Sequence, residues 1–546
     1  MLIVLARVDG DRIMAARRSE DGGSFGIEYV KDLASFVAAE ERATPRWVWD
    51  DTSHWYPRLL AERVRVDRCY DLRLCHAILR NSELTAGSAL ATGPATSWDA
   101  PRVPDRPASG ALFELEGDEP RVDADPVAEL VLQREAVAAS AQPGRIDRLL
   151  AAESAGALIA AELEYAGLPW DAARHEEILA DLLGPRPADG ERPAALREVL
   201  ERVQQLLEAP GLNPDSPVDL LRALGRVGLQ VTSTRSWELK QLKHPAIGPL
   251  LEYKKLARLL SANGWNWLDT WVRDGRFRPG YVPGGVVTGR WAANGGGALQ
   301  LPRQIRGAVI ADPGWKLVVA DASQLEPRIL AALSGDRGMV QAGAAGDLYA
   351  GIVASGAVET RDQAKVAMLG AMYGATTGES GRLMPRLERA YPKAIALVEE
   401  AARAGERGEI VTTRLGRSSP RGQGAGYDEV ASESEVSRAR NRARAWGRFT
   451  RNFVVQGSAA EWALCWMASI RRRLHAMADG TWLTDAPHLV FFLHDEIVVH
   501  CPAELTDAVS EQVRLAAVEA GQLLFGAIPA EFPVTVAVVD NYGQAK

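Results

Sequence analysis

Two apolar, β-branched runs in this chain each break off at an aspartate, a pattern that restricts its fold more than any other feature. Leu317-Val318-Val319-Ala320 leads into Asp321-Ala322-Ser323-Gln324-Leu325-Glu326, and Leu489-Val490-Phe491-Phe492-Leu493 leads into His494-Asp495-Glu496 and a second apolar run, Ile497-Val498-Val499. The first predicts a strand ending at Asp321, then a helix in which Leu325, Ile329, Leu330 and Leu333 recur at helical spacing with Pro327 in the first turn. The second predicts a hairpin with Asp495 at its tip. Singly, Asp321 reads as a helix cap and His494-Asp495-Glu496 as a polar turn. Jointly, carboxylates on rigid strand ends are what a pair of divalent ions needs to neutralise the attacking and leaving oxygens of an in-line phosphoryl displacement.

At 546 residues the chain exceeds one ordinary core, which predicts two or more domains. A composition of 47% hydrophobic and 25% charged residues is that of a soluble globular protein. No apolar run is long enough for a bilayer, and Met1-Leu2-Ile3-Val4-Leu5-Ala6-Arg7 lacks the order of a signal peptide, so the expectation is a cytoplasmic protein without membrane contact. Cys69, Cys75, Cys465 and Cys501 show no paired ligand spacing, which argues against structural zinc and a disulfide framework. The net charge of −8 excludes a uniformly basic nucleic-acid coat but leaves a local basic groove open.

Residues 1 to about 82 alternate strand-like and helix-like stretches around Trp47, Trp49 and Trp55, as in a small α/β unit. From Thr85 to Asp125 the closely spaced Pro94, Pro101, Pro104 and Pro107 predict a linker. Helices are predicted over Ile146–Ala166, Ala172–Leu183 and Leu196–Leu207, and Glu252 to Arg258 lies on another amphipathic stretch. Val287-Thr288-Gly289-Arg290-Trp291 and Leu299-Gln300-Leu301-Pro302-Arg303 put polar side chains on irregular backbone, which suits phosphate and minor-groove contact. Thr360 is placed to cap a helix in which Arg361, Lys365, Leu369 and Tyr373 fall four apart and form one stripe ending near Gly374. Such a face can hold a triphosphate through its cations while the aromatic packs on a base. Arg438, Arg440, Arg442, Arg444, Arg448 and Arg451 follow with no acidic residue between them.

In this order the segments resemble family A DNA polymerases, over roughly Ile146 to Lys546. The Asp321 segment is similar to that family's motif A, Arg361 to Gly374 to motif B, and His494-Asp495-Glu496 to motif C. Thr288-Gly289-Arg290 with Gln300 and Pro302, Arg448-Asn452-Gln456 before Gly457-Ser458-Ala459-Ala460, Leu251-Glu252-Tyr253, and Asn541-Tyr542-Gly543-Gln544-Ala545 resemble further segments of the family.

The resemblance implies an α+β multidomain fold: a right-hand polymerase of palm, thumb and fingers behind a small α/β, ribonuclease H-like exonuclease-type domain. Its boundaries would be 1–84 for that domain, 85–144 for a linker and connecting helix, and 145–546 for the polymerase, with the thumb about 185–275 and the fingers about 345–445. It implies DNA-directed DNA synthesis in which Asp321 and Asp495 bind two Mg²⁺ ions, with Mn²⁺ as a possible substitute, and Lys365 assists catalysis. Arg361, Lys365, Leu369, Tyr373, Gln324 and Tyr349 would meet the dNTP, and Glu326 would lie under its sugar and exclude a 2′-hydroxyl. Thr288, Arg290, Gln300, Arg328, Arg448, Asn452, Gln456, His494 and Glu496 would contact primer–template DNA, and the arginine run from Arg438 to Arg451 would contact its backbone. A monomer is expected, in repair or gap filling, with a separate 5′-nuclease because no such domain precedes residue 1.

Departures from the family pattern are Leu369 for an aromatic residue, Ala322 for an aromatic, Pro327 for an apolar residue and Tyr349 for a His. In the amino-terminal unit, Leu2-Ile3-Val4-Leu5-Ala6 carries no Asp-x-Glu, and Thr52-Ser53-His54-Trp55-Tyr56 stands where a second aspartate is needed. Proofreading is therefore expected to be absent. The alternatives are residual 3′→5′ exonuclease activity through Asp50, Asp51 and Asp71, or a non-catalytic DNA-binding scaffold. A single-subunit RNA polymerase is disfavoured by Glu326.

Overall fold

The computed structural model describes residues 1–8, 12–18, 25–100, 125–188, 190–294, 296–374, 378–422 and 433–545. Pro101, Pro104 and Pro107 of the expected linker lie outside them.

The amino-terminal stretch builds β1 (Leu2–Val8), β2 (Arg12–Arg18), β3 (Phe25–Val30), α1 (Leu33–Glu40), β4 (Arg46–Trp49), α2 (Thr52–Ala61), β5 (Arg68–Asp71) and α3 (Leu72–Asn81). The sheet order is β3-β2-β1-β4-β5. Short connections make the first three strands antiparallel, whereas helical crossovers bring in β4 and β5 parallel. The tryptophan-rich piece is its core: Trp47, Trp49, Trp55 and Tyr56 pack with Ile3 and Leu5. Asp32, Asp51 and Asp71 each cap the following helix by accepting a backbone N–H.

Residues 85–144 are expected to hold a linker and a connecting helix. Among the described residues this stretch contains α4 (Ala89–Thr92) and then α5 (Pro126–Ala139), capped by Asp125, and α6 (Pro143–Ala166) follows. Helix α6 begins three residues before the predicted Ile146, because proline is accommodated at a helix start.

The chain divides into two compact units, Met1–Ala166 with Gly280–Gly295 and Val318–Val538, and Gly167–Pro279 with Gly296–Leu317 and Val539–Lys546. The second is mainly helical. It contains β6 (Leu168–Pro169), α7 (Ala172–Leu183), α8 (Ala194–Leu206), α9 (Pro217–Arg226), α10 (Ser236–Leu239), α11 (Ile247–Asn263), α12 (Trp265–Trp271), β7 (Val272–Arg273) and β8 (Arg276–Phe277). Val203, Leu220, Leu224, Leu239 and Leu250 form one of its cores, and Trp170, His175, Trp267 and Phe277 a packed aromatic group.

The remainder of the first unit holds β9 (Tyr281–Val282), β10 (Ala292–Ala293), β11 (Trp315–Ala322), α13 (Leu325–Ser334), α14 (Arg337–Gly343), α15 (Leu348–Ala354), α16 (Arg361–Tyr373), α17 (Gly378–Ala390), α18 (Pro392–Glu406) and α19 (Glu433–Met477). It ends with β12 (His488–Leu493), β13 (Glu496–Pro502), α20 (Thr506–Phe525) and β14 (Val534–Val539). Strands β12 and β13 form the predicted hairpin and β11 the predicted strand, in a sheet ordered β12-β13-β11-β14.

Candidate active site

Sheet order puts the end of β11 beside the β12–β13 turn, where the Ala322 amide donates to the Asp495 carbonyl at 2.9 Å. Asp321 and Asp495 are thereby neighbours on rigid backbone, each half-buried. A left-handed residue lies close to each in sequence: Gln324 at φ 56°, three positions after Asp321, and His494 at φ 59°, directly before Asp495. The Asp495 amide also donates across His494 to the Leu493 carbonyl at 2.8 Å, so the hairpin tip is a γ-turn of the rare positive-φ kind. Strained backbone of this sort costs on the order of 1–3 kcal/mol and persists where surrounding structure fixes it, often at functional sites.

The stripe on α16 lies on its outward face. Ala364, Ala367, Met368, Ala371 and Met372 are buried, while Arg361, Lys365, Leu369 and Tyr373 are exposed. Thr360 caps the helix through the Gln363 amide, and Gly374 closes it at φ 75°. A side chain there would be strained and would meet Arg448, its Cβ only 2.8 Å from that residue's Cγ.

Two hydrogen-bonded links join this helix to the Asp321 segment. In the first, Asp347 accepts from Arg361 Nε at 2.8 Å and from Gln324 Nε2 at 2.7 Å, and the Leu348 amide donates to Gln324 Oε1 at 2.8 Å. Burial opposes the Asp347 charge, but the bonds from Arg361 and Gln324 outweigh it and hold the carboxyl down to about 2. The Arg361 guanidinium also lies over the buried Tyr349 ring, 5.5 Å from its centroid. In the second link, the Tyr373 hydroxyl donates to Glu326 at 2.9 and 3.2 Å, Arg290 pairs with the same carboxylate, and Asn452 hydrogen-bonds the phenol. Burial, then the Glu326 charge, pushes that phenol's pKa up. Thr288 donates to Gln456 Oε1 at 3.0 Å.

Several expected DNA contacts are corrected. Arg328 is buried, and its guanidinium donates to the carbonyls of Ser323, Gly343, Gly346 and Glu531, which leaves it as a brace between loops. Thr288 is buried and spends its hydroxyl on Gln456. Glu496 opens β13 opposite Leu493 and is buried, so at the tip His494 is exposed and Asp495 partly so. In the arginine run, Arg438, Arg440, Arg442, Arg444 and Arg448 are exposed on α19. Arg451 is buried, bonded to the Ala371 carbonyl and paired with Glu399. Gln300 is exposed in the second unit, where Arg258 donates to it at 3.4 Å. Asp347 is the site residue that sequence reasoning missed. An Asp before an apolar helical run signals a cap, but its service to Arg361 and Gln324 is tertiary.

Among the described residues no three His, Cys, Asp or Glu side chains form a ready-made metal cage. Two carboxylates of hard oxygen donors nevertheless fit Mg²⁺ or Mn²⁺, because Mg²⁺ keeps several waters and is commonly held by one or two carboxylates together with substrate phosphates.

A sequence profile described as DNA polymerase family A matches residues 191–544. DNA polymerase I of Chloroflexus aurantiacus is 27% identical over 318 residues, which are 53% of this chain and 31% of that protein. The thermostable DNA polymerase I of Thermus aquaticus is 27% identical over 352 residues, 58% of this chain and 39% of that protein. A DNA polymerase of Mycobacterium phage D29 is 29% identical over 301 residues, 51% and 44% respectively. The matched regions thus span about a third to less than a half of these relatives' lengths. Among solved structures, the POL domain of Pol1 from M. smegmatis in complex with DNA primer-template and dNTP aligns with a TM-score of 0.67 at 20% identity, covering 100% of this chain and 95% of that one. The fold is therefore that of a Pol I polymerase domain preceded by a mixed five-stranded sheet, and the chain belongs to DNA polymerase family A.

Proposed function

We propose that this chain extends a primer 3′ end on a DNA template with dNTPs, in gap filling or repair. The observation that carries the reading is the convergence of three motifs: the backbone bond from Ala322 to Asp495 brings together the segments that bear the two aspartates, and the Asp347 and Glu326 links tie the α16 stripe to the Asp321 segment. Asp321 and Asp495 would hold two Mg²⁺ ions, which when bound activate the primer hydroxyl and neutralise the leaving pyrophosphate. Arg361 and the exposed Lys365 supply cationic donors for the triphosphate, and Lys365 offsets charge on the leaving group. Arg290, Arg448, Asn452 and Gln456 position DNA without reading its sequence. The thumb is assigned to about 185–275, the fingers to about 345–445 and the exonuclease-like unit to 1–84. We assign the chain to the cytoplasm as a monomer; among the described residues no helix is long and apolar enough to cross a membrane.

Glu326 is held from two sides, by Arg290 and Tyr373, where it would meet the sugar. Glu326→Ala is expected to raise ribonucleotide insertion by at least about tenfold relative to deoxyribonucleotide insertion, because a packed carboxylate gives way to open volume. Equal selectivity in the variant, measured by single-nucleotide insertion of CTP and dCTP, would remove the assignment.

Absence of proofreading is supported by what the amino-terminal carboxylates already do. Asp50 accepts from Trp55 Nε1 at 2.5 Å and contacts His54 Nδ1 at 2.7 Å, while buried Asp71 accepts from the Thr52 amide and hydroxyl and the Leu74 amide. Burial, then the neighbouring Asp51 charge, pushes the Asp71 pKa upward. A mismatched 3′ end incubated with Mg²⁺ or Mn²⁺ should stay intact; degradation abolished by Asp51→Ala would overturn this.

A further inference from the structure

One buried ion pair behind the site is used by none of the roles above. Arg417 donates to Glu153 of α6 at 2.8 Å, and both side chains are largely buried. The pair lies flush against the Gly284–Arg290 loop. A Cβ at Gly289, where φ is 83°, would fall 2.5 Å from Arg417 Nε, and one at Gly284, where φ is 60°, 2.5 Å from Glu153 Oε1. Both side-chain atoms are buried without a hydrogen-bond partner, so glycine backbone in close contact is what faces them.

The turn bearing Arg417 is itself anchored. Its amide donates to Thr413 Oγ1 and its carbonyl accepts from the Thr413 amide, each at 2.9 Å, while Glu461 of α19 takes the Thr413 hydroxyl and the Leu415 amide. From the other side, Gly457 of α19 approaches so closely that a Cβ there would be 2.4 Å from Thr413 Cγ2 and 3.2 Å from the Thr288 carbonyl. The Gly284–Arg290 loop is thus clamped, and its last residue is the partner of Glu326.

We propose that Glu153 and Arg417 are positioning residues for sugar selection: by pressing on Gly284 and Gly289 they fix Arg290, which fixes Glu326. This rests on the reading of Glu326 as the residue under the incoming sugar. Lysine at 417 keeps the charge but lacks the planar fork that fills the space between Glu153 and Gly289.

The test is single-nucleotide insertion of dCTP and CTP by the full chain with Mg²⁺, comparing kcat/KM ratios. Arg417→Lys is expected to lower the deoxy-to-ribo preference by about fivefold or more, Glu153→Gln by less, and Arg417→Lys in a Glu326→Ala background by no more than about twofold. Should Arg417→Lys not fold, Glu153→Leu with Arg417→Met leaves no buried charge and is expected to lose the preference likewise. An equal fall for both nucleotides, or an undiminished effect in the Glu326→Ala background, overturns the proposal. A preference altered by Glu326→Ala but not by either pair variant removes the brace alone; one unaltered by Glu326→Ala removes the underlying reading as well.

Discussion

Asp321→Ala and Asp495→Ala will each cut primer extension by roughly a thousandfold or more while primer–template affinity stays within a few-fold. A metal clamp contributes several kcal/mol of transition-state charge stabilisation, and each factor of ten in rate is about 1.4 kcal/mol. On the function proposed above, DNA affinity would rest instead on phosphate contacts, for which the exposed arginines of α19 remain available in both variants. The substitutions should cost little stability, since both aspartates are only half-buried at the ends of strands whose pairing runs through the backbone. Primer extension alongside electrophoretic binding on one primed template checks both halves. Synthesis that persists in either variant would sink the two-ion assignment.

The second large effect is on stability. Glu162 of α6 accepts from Arg471 at 2.7 and 3.0 Å, from Arg65 at 2.9 and 3.2 Å, and from the Tyr56 hydroxyl at 2.6 Å. Burial works against its charge, but Arg471 and Arg65 outweigh it and hold the carboxyl well below the usual range. Glu162→Ala leaves two guanidiniums sharing a buried site without a counter-charge and should destabilise the first unit by about 3–5 kcal/mol. Because the folded-state pKa is depressed, this stabilisation is fully present above the ordinary carboxylate pKa and is lost progressively as pH falls below about 4. Thermal unfolding of wild type and Glu162→Gln across that range should therefore converge in acid. Parallel curves would show that Glu162 is not charged in the native protein.

How much of this could be read beforehand follows the range of the interactions. Strand, hairpin and capped helix were legible because alternation, a closing aspartate, and Thr360 with Gly374 act within a few residues. Family resemblance then assigned roles by position. It could not see that Arg328 and Arg451 turn inward, because an arginine is buried or exposed according to which carbonyls lie around it, and Gly343, Gly346, Glu531 and Ala371 are distant in sequence. The same limit hid Asp347, whose cap is local and whose grip on Arg361 is not.

The amino-terminal sheet shares its interior with the rest of the first unit: Leu158 of α6 and Leu483 sit in the same cluster as Trp47, Trp49, Trp55 and Tyr56. Such a sheet serves as a load-carrying wall. Truncating any one of these tryptophans would open a void beneath the helix that carries Glu153 and Glu162.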